Sequence, residues 1–120
     1  MSDLKLAVIE SRFADIIWEK EPIPSGELVK ICEKELNWKK PTTYTVLRKL
    51  CQRGIFKNDT KFVTSIISRE EFYAMQSEKF VDENFEGSLP AFVAAFTGRK
   101  KLTRAEAKEI RRLIEGFEEE

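Results

Sequence analysis

Hydroxyl, amide and cationic side chains recur at helical spacing between Trp38 and Phe56. On the helix that this spacing predicts, one face carries Thr42, Thr45, Arg48, Lys49 and Gln52. The opposite face is a stripe of Thr43, Val46, Leu47 and Leu50, which would pack on a core. No acid occurs in this stretch, although a solvated helix face usually carries both signs of charge. The polar face can therefore donate hydrogen bonds and pair with anions, and it is the candidate ligand-contacting surface.

Charge is distributed unevenly along the chain. The segment from Asn37 to Lys61 has seven basic residues and one acid, a net charge of +6, whereas the whole chain has a net charge of zero. Residues 1–67 carry 12 basic and 9 acidic side chains, and residues 68–120 carry 9 and 12. The first part therefore suits a polyanionic partner and the second does not. The alternative is a surface helix that is basic and binds nothing.

The elements before this segment are those of a helix-turn-helix unit. Apolar periodicity predicts a first helix over residues 4–20, after which Pro22 and Pro24 favour an extended connector. Ser25 can cap a second helix that runs over residues 26–36. A short turn would then lead into the helix with the polar face, which is the order of a helix-turn-helix unit.

The limits of the third helix are marked by its proline and glycine. Pro41 suits the first helical turn, and Gly54 suits the left-handed position after the last turn, so we expect a helix over residues 41–53. Two β-prone runs follow, separated by Asn58-Asp59-Thr60, and they predict a hairpin. A hairpin directly after a helix-turn-helix is a wing, and Lys57 and Lys61 would flank its tip. The alternative is a plain hairpin with solvated lysines.

Three further helices are predicted in the last 53 residues. Ser68 and Thr103 each precede a glutamate by three residues, which is the capping-box spacing, and a short apolar helix runs between these two helices from Leu89 to Gly98. Three helices are too few to bury the aromatic side chains found here, so we expect a second copy of the chain to cover them. Packing against the N-terminal part is the alternative. The residues expected at the dimer interface are Phe72, Phe80, Phe85, Leu89, Phe92, Phe96, Ile110, Leu113 and Phe117.

Several functional classes are disfavoured by composition. The chain has no histidine, and its five glycines are isolated, so we expect no enzymatic activity, no metal site, no cofactor and no phosphate-binding loop. Cys32 and Cys51 lie near apolar stripes and are expected to be buried thiols. The N-terminus does not resemble a signal peptide and no run is long enough to span a membrane, so we expect a cytoplasmic protein without membrane contact.

The order of motifs resembles that of a known family over nearly the whole chain. The residues that carry the likeness are Leu6 to Glu10 with Ile17-Trp18-Glu19, Trp38 to Gly54, Ser68 to Phe72, Phe85 to Leu89 with Ala94 to Phe96, and Leu102-Thr103 with Glu109 to Leu113. Together they resemble the penicillinase-repressor group of winged-helix transcriptional regulators, the BlaI/MecI/CopY type. The resemblance implies a homodimeric repressor of resistance genes whose switch is a regulatory protease or another inducer.

The chain departs from that family at its regulatory positions. Copper-responsive members carry C-terminal cysteine clusters, which this sequence lacks. Proteolysed members carry an Asn-Phe pair where this chain has Ala95-Phe96, and the wing tip has Asp59-Thr60-Lys61 where glycine and arginine are common. The resemblance therefore implies DNA binding and dimerisation more strongly than any particular inducing signal.

We therefore predict a mainly α protein with a small β-hairpin, in which a winged helix-turn-helix DNA-binding domain (residues 1–67) precedes a helical dimerisation domain (residues 68–120). Its predicted function is sequence-specific repression as a homodimer on a palindromic double-stranded DNA operator. The residues predicted to contact DNA are Lys39, Lys40, Thr42, Thr43, Thr45, Arg48, Lys49 and Lys61. The alternatives are a winged-helix docking module that binds protein, an activator and a small-molecule sensor.

Overall fold

The computed structural model describes residues 6–118, and these form helices and a small sheet, which confirms the predicted fold class. The helices are α1 (Val8–Lys20), α2 (Ser25–Glu35), α3 (Lys40–Gln52), α4 (Arg69–Phe85), α5 (Leu89–Arg99) and α6 (Arg104–Gly116). The strands are β1 (Ile23–Pro24), β2 (Phe56–Asp59) and β3 (Phe62–Ser65). The predicted start of the first helix at Leu4 and the end of the acidic tail at residues 119–120 lie outside the described residues.

The core of the N-terminal part is formed by apolar stripes of α1, α2 and α3. Phe13, Ile17, Leu28 and Leu50 are fully buried, and Leu47 is nearly so. The stripe predicted for α3 is therefore the side of that helix that packs inward. Because its buried and polar residues alternate at helical period, the opposite face of α3 must point to solvent.

Helix α3 spans Lys40–Gln52, so each end lies one residue before the predicted range of 41–53. Its first turn contains Pro41, whose missing N–H costs no intrahelical hydrogen bond at this position. Beyond its end, Gly54 has φ +81°, the left-handed conformation that glycine adopts without a steric penalty. The helix is thereby fixed in length at both ends.

The sheet has one strand more than the hairpin predicted from the sequence. The strand order is β1-β3-β2, and β1 pairs antiparallel with β3 through Ile23 opposite Val63 and Pro24 opposite Phe62. The extended conformation expected from the two prolines is correct, but this segment also pairs with the wing. The pairing joins the connector before α2 to the hairpin that follows α3.

The turn of the hairpin lies two residues later than predicted. Asn58 and Asp59 belong to β2, and the turn is formed by Thr60 and Lys61 with φ values of 48° and 67°. Two successive left-handed residues are the pattern of a type I′ turn, whose twist matches that of the flanking strands. The local preference of Asn58-Asp59 for turns was overridden by the register in which Asn58 pairs with Val63.

Trp18 fixes the start of α4 to the N-terminal core. Its indole Nε1–H donates a hydrogen bond to the Ile67 carbonyl oxygen at 3.0 Å, and its ring lies 5.6 Å from that of Phe72 between centroids. Phe72 is 1% exposed. The assignment of Phe72 to the dimer interface was therefore wrong, because its side chain is buried in the core of the N-terminal part of the same chain.

Four other helix ends can be compared with their predicted positions. Ser25 is the first residue of α2 and not its side-chain cap, which corrects the prediction, whereas Thr103 forms the expected capping box with Glu106. Ser68 accepts a hydrogen bond from the backbone N–H of Glu71, as expected for the start of α4. Helix α5 continues one residue past Gly98 to Arg99, because a single glycine costs a helix only about 1 kcal/mol.

The chain divides into two compact units, Met1–Ser77 and Glu78–Glu120, with the division inside α4. The boundary that the sequence predicts between its two functional domains, after residue 67, lies just before that helix. Within the second unit the rings of Phe80, Phe85 and Phe92 lie 5.6 to 6.1 Å apart between centroids. Even so, none of the described residues of this unit is buried in the single chain.

Candidate nucleic-acid interface

The exposed face of α3 carries most of the predicted contact residues. The exposed side chains in and just before this helix include Lys39, Lys40, Thr42, Thr45, Arg48 and Lys49. Thr43 is different, because it is 0% exposed and packs inward among core residues. The prediction of Thr43 as a DNA contact was therefore wrong: its position on the apolar stripe of α3 decides its environment, and its hydroxyl does not reach the surface.

The N-terminus of α3 is positively polarised. Lys39 occupies the N-cap position, no side chain caps the helix, and its first turn contains no acid. The partial positive charge of a helix N-terminus therefore adds to the charges of Lys39 and Lys40. Further along, the Thr45 hydroxyl donates a hydrogen bond to the Pro41 carbonyl oxygen at 2.9 Å, which leaves its oxygen free to accept. This end of the helix suits an anionic or hydrogen-bonding ligand.

Ser25, the first residue of α2, contacts both α3 and the turn of the wing. The Tyr44 hydroxyl of α3 donates a hydrogen bond to Ser25 Oγ at 3.3 Å, while the Ser25 backbone N–H donates to the Lys61 carbonyl oxygen at 2.8 Å. Ser25 itself is 7% exposed. The first residue of α2 thus holds both α3 and the wing turn, and the sequence offered no signal for this role beyond a hydroxyl after a proline.

The wing presents cations at and near its tip. Lys57 and Lys61 are exposed, as the hairpin prediction required, and Phe62 directly after the turn is 49% exposed. The hydrogen bond from Ser25 to the Lys61 carbonyl oxygen fixes the backbone at the tip. The Lys61 ammonium therefore extends from an anchored turn.

Lys49 is not as free as its sequence context indicates. Its ammonium Nζ lies 3.9 Å from Glu10 Oε2, an acid that comes from the first turn of α1. The sequence places these residues 39 positions apart, so no local pattern could reveal the pair. The polar face of α3 is free of acids along the helix itself, but the fold brings one to its edge.

Cys32 is buried as predicted, whereas Cys51 is only half-buried, which corrects the prediction for the second thiol. Burial raises the pKa of the Cys32 thiol to about 11, and burial also raises the pKa of Cys51. Both thiols are therefore protonated near neutral pH, and neither is a good nucleophile or metal ligand in the folded chain. Within residues 6–118, no group of acidic and cysteine side chains could hold a metal ion.

A separate cleft of about 390 Å³ lies in the N-terminal unit, away from the exposed face of α3. It is lined by Asp15, Trp18, Glu19, Glu21, Ser68, Arg69 and Glu70. Arg69 Nε is 3.0 Å from Asp15 Oδ1, so the cation of the cleft is already paired. Its acidic lining does not suit a polyanion, and the cleft is not part of the candidate interface.

The fold and the exposed basic helix define the class of protein. In this structure a helix-turn-helix, formed by α2 and α3, is followed by a hairpin wing, and cations lie on α3 and on the wing. This is the architecture of winged helix-turn-helix transcriptional regulators. The penicillinase-repressor family model matches residues 6–116. The chain therefore belongs to the penicillinase repressor family, whose members are transcriptional regulators and not enzymes.

Curated relatives agree with this assignment over nearly their whole length. The chain is 26% identical over 119 residues to the penicillinase repressor of Bacillus licheniformis, covering 96% of this chain and 89% of the relative. It is 21% identical over 114 residues to the methicillin resistance regulatory protein MecI of Staphylococcus aureus, covering 92% and 93% respectively. A penicillinase repressor of Staphylococcus aureus is 21% identical over 115 residues, covering 92% and 91%.

Among residues 6–118, no helix is both long enough and apolar enough to cross a lipid bilayer.

Proposed function

We propose that the protein is a sequence-specific transcriptional repressor that binds, as a homodimer, a palindromic operator in double-stranded DNA. The observation that carries this proposal is the exposed, acid-free polar face of α3 on the fold of a repressor family. The relatives are named for penicillinase repression and methicillin resistance, so the regulated genes are proposed to be antibiotic-resistance genes.

The contact residues of α3 and the wing divide into two groups by chemistry. Thr42, Thr45 and Arg48 are proposed to contact base edges in the major groove, because hydroxyl and guanidinium groups match the donor and acceptor pattern displayed there. Lys39, Lys40, Lys49 and Lys61 are proposed to contact phosphates, which fix the register of the protein on the duplex. The second group supplies affinity and the first supplies specificity.

Dimerisation is proposed from the unburied apolar surface of the second unit. In that unit, Leu89 is 56%, Phe96 47%, Leu113 52% and Phe117 85% exposed. Apolar surface of this extent is costly to leave in water and is typical of an interface. A second copy is the simplest partner, because a two-fold dimer also matches the symmetry of a palindrome.

The proposal is tested by selecting binders from a pool of random duplex DNA at two salt concentrations, with the oligomeric state measured by sedimentation velocity. We expect a dimer that enriches a palindrome with half-sites about 10 base pairs apart, or a multiple of that spacing. Salt-sensitive binding without enrichment would reduce the basic face to a nonspecific surface. No binding at moderate salt would favour a protein-docking role instead.

A further inference from the structure

Glu10 is placed between two partners at the start of α1. Its Oε1 accepts a hydrogen bond from the Ala7 backbone N–H at 3.0 Å, and its Oε2 lies 3.9 Å from Lys49 Nζ. The Glu10 side chain is 15% exposed, whereas that of Lys49 is 62% exposed. The carboxylate is therefore held in place, and the ammonium that it faces can still be reached from solvent.

We propose that Glu10 is a positioning residue that competes with the DNA phosphates for Lys49. In this way it lowers the affinity of α3 for DNA. This inference rests on the proposed function, since it assumes that the exposed face of α3 meets the duplex. The Lys49 ammonium would pair with the Glu10 carboxylate in the free protein and with a phosphate oxygen in the complex.

The geometry of the pair makes such an exchange inexpensive. At 3.9 Å the contact is a long ion pair, and its ammonium is exposed to solvent, so the Coulomb attraction that a phosphate must replace is weak. The Glu10 carboxylate, which stays beside α3 in the complex, also repels nearby phosphates, and this repulsion weakens at high salt. Both effects act in the same direction, so the intact Glu10 charge opposes DNA binding.

The second contact of Glu10 decides which variant can test the idea. Because its other oxygen caps the N-terminus of α1, truncation to alanine would remove a cap and disturb the helix. Glutamine keeps a carbonyl oxygen that can accept from the Ala7 N–H and loses only the charge. Glu19→Gln makes the same change of net charge on the same helix, and Glu19 is exposed.

The experiment titrates the palindrome selected from the random pool with the wild type, Glu10→Gln and Glu19→Gln at several salt concentrations. For Glu10→Gln we expect binding that is tighter by about 2- to 5-fold per half-site, and a salt slope steeper by up to about 1 unit per half-site. For Glu19→Gln we expect a smaller gain. A role for Glu10 in helix capping alone would leave the salt slope unchanged.

The variant Lys49→Gln completes a double-mutant cycle. In its background, Glu10→Gln should tighten binding clearly less than it does in the wild type, because the ammonium for which the carboxylate competes is absent and only the repulsion of phosphates is relieved. An equal gain with and without Lys49, or weaker binding by Glu10→Gln alone, would overturn the inference and leave the proposed function intact. A wild type that enriches no DNA would instead refute the proposed function, and this inference with it.

Discussion

Arg48 lies on the exposed face of α3, one turn after Thr45, where a side chain can enter a major groove. Its guanidinium offers donors in a fixed fork that matches the acceptors of guanine. We predict that Arg48→Ala weakens binding to the selected operator by about 1 to 3 kcal/mol and relaxes preference at one base position. The measurement is a repeated selection with the variant. An equal loss on every sequence would make Arg48 a phosphate contact.

Lys40 lies at the start of α3, where the helix dipole adds to its charge. For Lys40→Ala we predict weaker binding to all duplexes and a salt slope that is shallower by about 1 unit, because one fewer counterion is released. Titrations at four or more salt concentrations give the slope. Lys79→Ala is the matched control in the second unit, and a change in its slope equal to that of Lys40→Ala would argue against a contact by Lys40.

For single residues, the sequence predicted which side chains are exposed better than it predicted which side chains pair with each other. Helical spacing correctly separated Leu47 and Leu50 from Thr42 and Arg48, because burial on one helix repeats at a fixed period. It could not reveal that Glu10 approaches Lys49, since that pair depends on how α1 packs beside α3. Thr43 is buried as its place on the apolar stripe of α3 predicts, and its assignment as a DNA contact went against that same spacing.

The wing turn is the element in which backbone strain is most evident. Thr60 adopts φ 48°, a conformation that is unfavourable for a β-branched residue and tolerated by asparagine. We predict that Thr60→Asn raises the free energy of unfolding by about 0.5 to 1 kcal/mol. Urea unfolding with an unchanged m-value would show it. Thr60→Val keeps the branching and should give no gain, and an equal gain from both variants would contradict a backbone cause.

Phe72 anchors the first turn of α4, and its loss should be felt in the N-terminal unit. Because it is 1% exposed, Phe72→Ala is predicted to cost about 3 to 5 kcal/mol of folding free energy. Phe80→Ala is the control within the same helix, since Phe80 is 49% exposed in the single chain. Thermal unfolding monitored by the fluorescence of Trp18 and Trp38, which both pack against the N-terminal core, distinguishes them. Equal destabilisation by the two variants in the monomeric chain would contradict the anchor.

Element type was predictable where the signals were local, and pairing was not. Caps at Ser68 and Thr103 and the glycine after α3 marked helix ends correctly, because each satisfies backbone groups within its own turn. Strand β1 was missed as a strand, since a two-residue segment with proline has no periodicity to detect. The turn of the wing shifted because strand register depends on partners that are distant in sequence.

At the scale of the whole molecule, the proposed homodimer would cover the exposed apolar surface of the second unit. Leu113 of α6 is 52% exposed, and we predict that Leu113→Glu weakens the dimer at least about 10-fold by placing a charge in the interface. Arg112→Gln makes the same change of net charge beside it, on the polar side of the helix, and should leave the dimer intact. Sedimentation equilibrium measures both. A Leu113→Glu variant that dimerises as the wild type does would place the interface elsewhere.

The family could be anticipated from motif order alone, because each motif is short and local. Helix α4 runs through the division between the two compact units, and its sequence pattern shows no break there. Which surfaces of the second unit meet a partner also depends on assembly, which periodicity within one chain does not encode.

The measurement that tests the central claim most directly is the ratio of two affinities at 0.15 M salt, measured by fluorescence anisotropy. One duplex carries the selected palindrome, and the other has the same composition in scrambled order. A repressor that reads bases through α3 should bind the palindrome about 10³-fold more tightly or better, and Arg48→Ala should reduce that ratio. A ratio near one, with both duplexes bound and released equally by salt, would contradict sequence-specific repression.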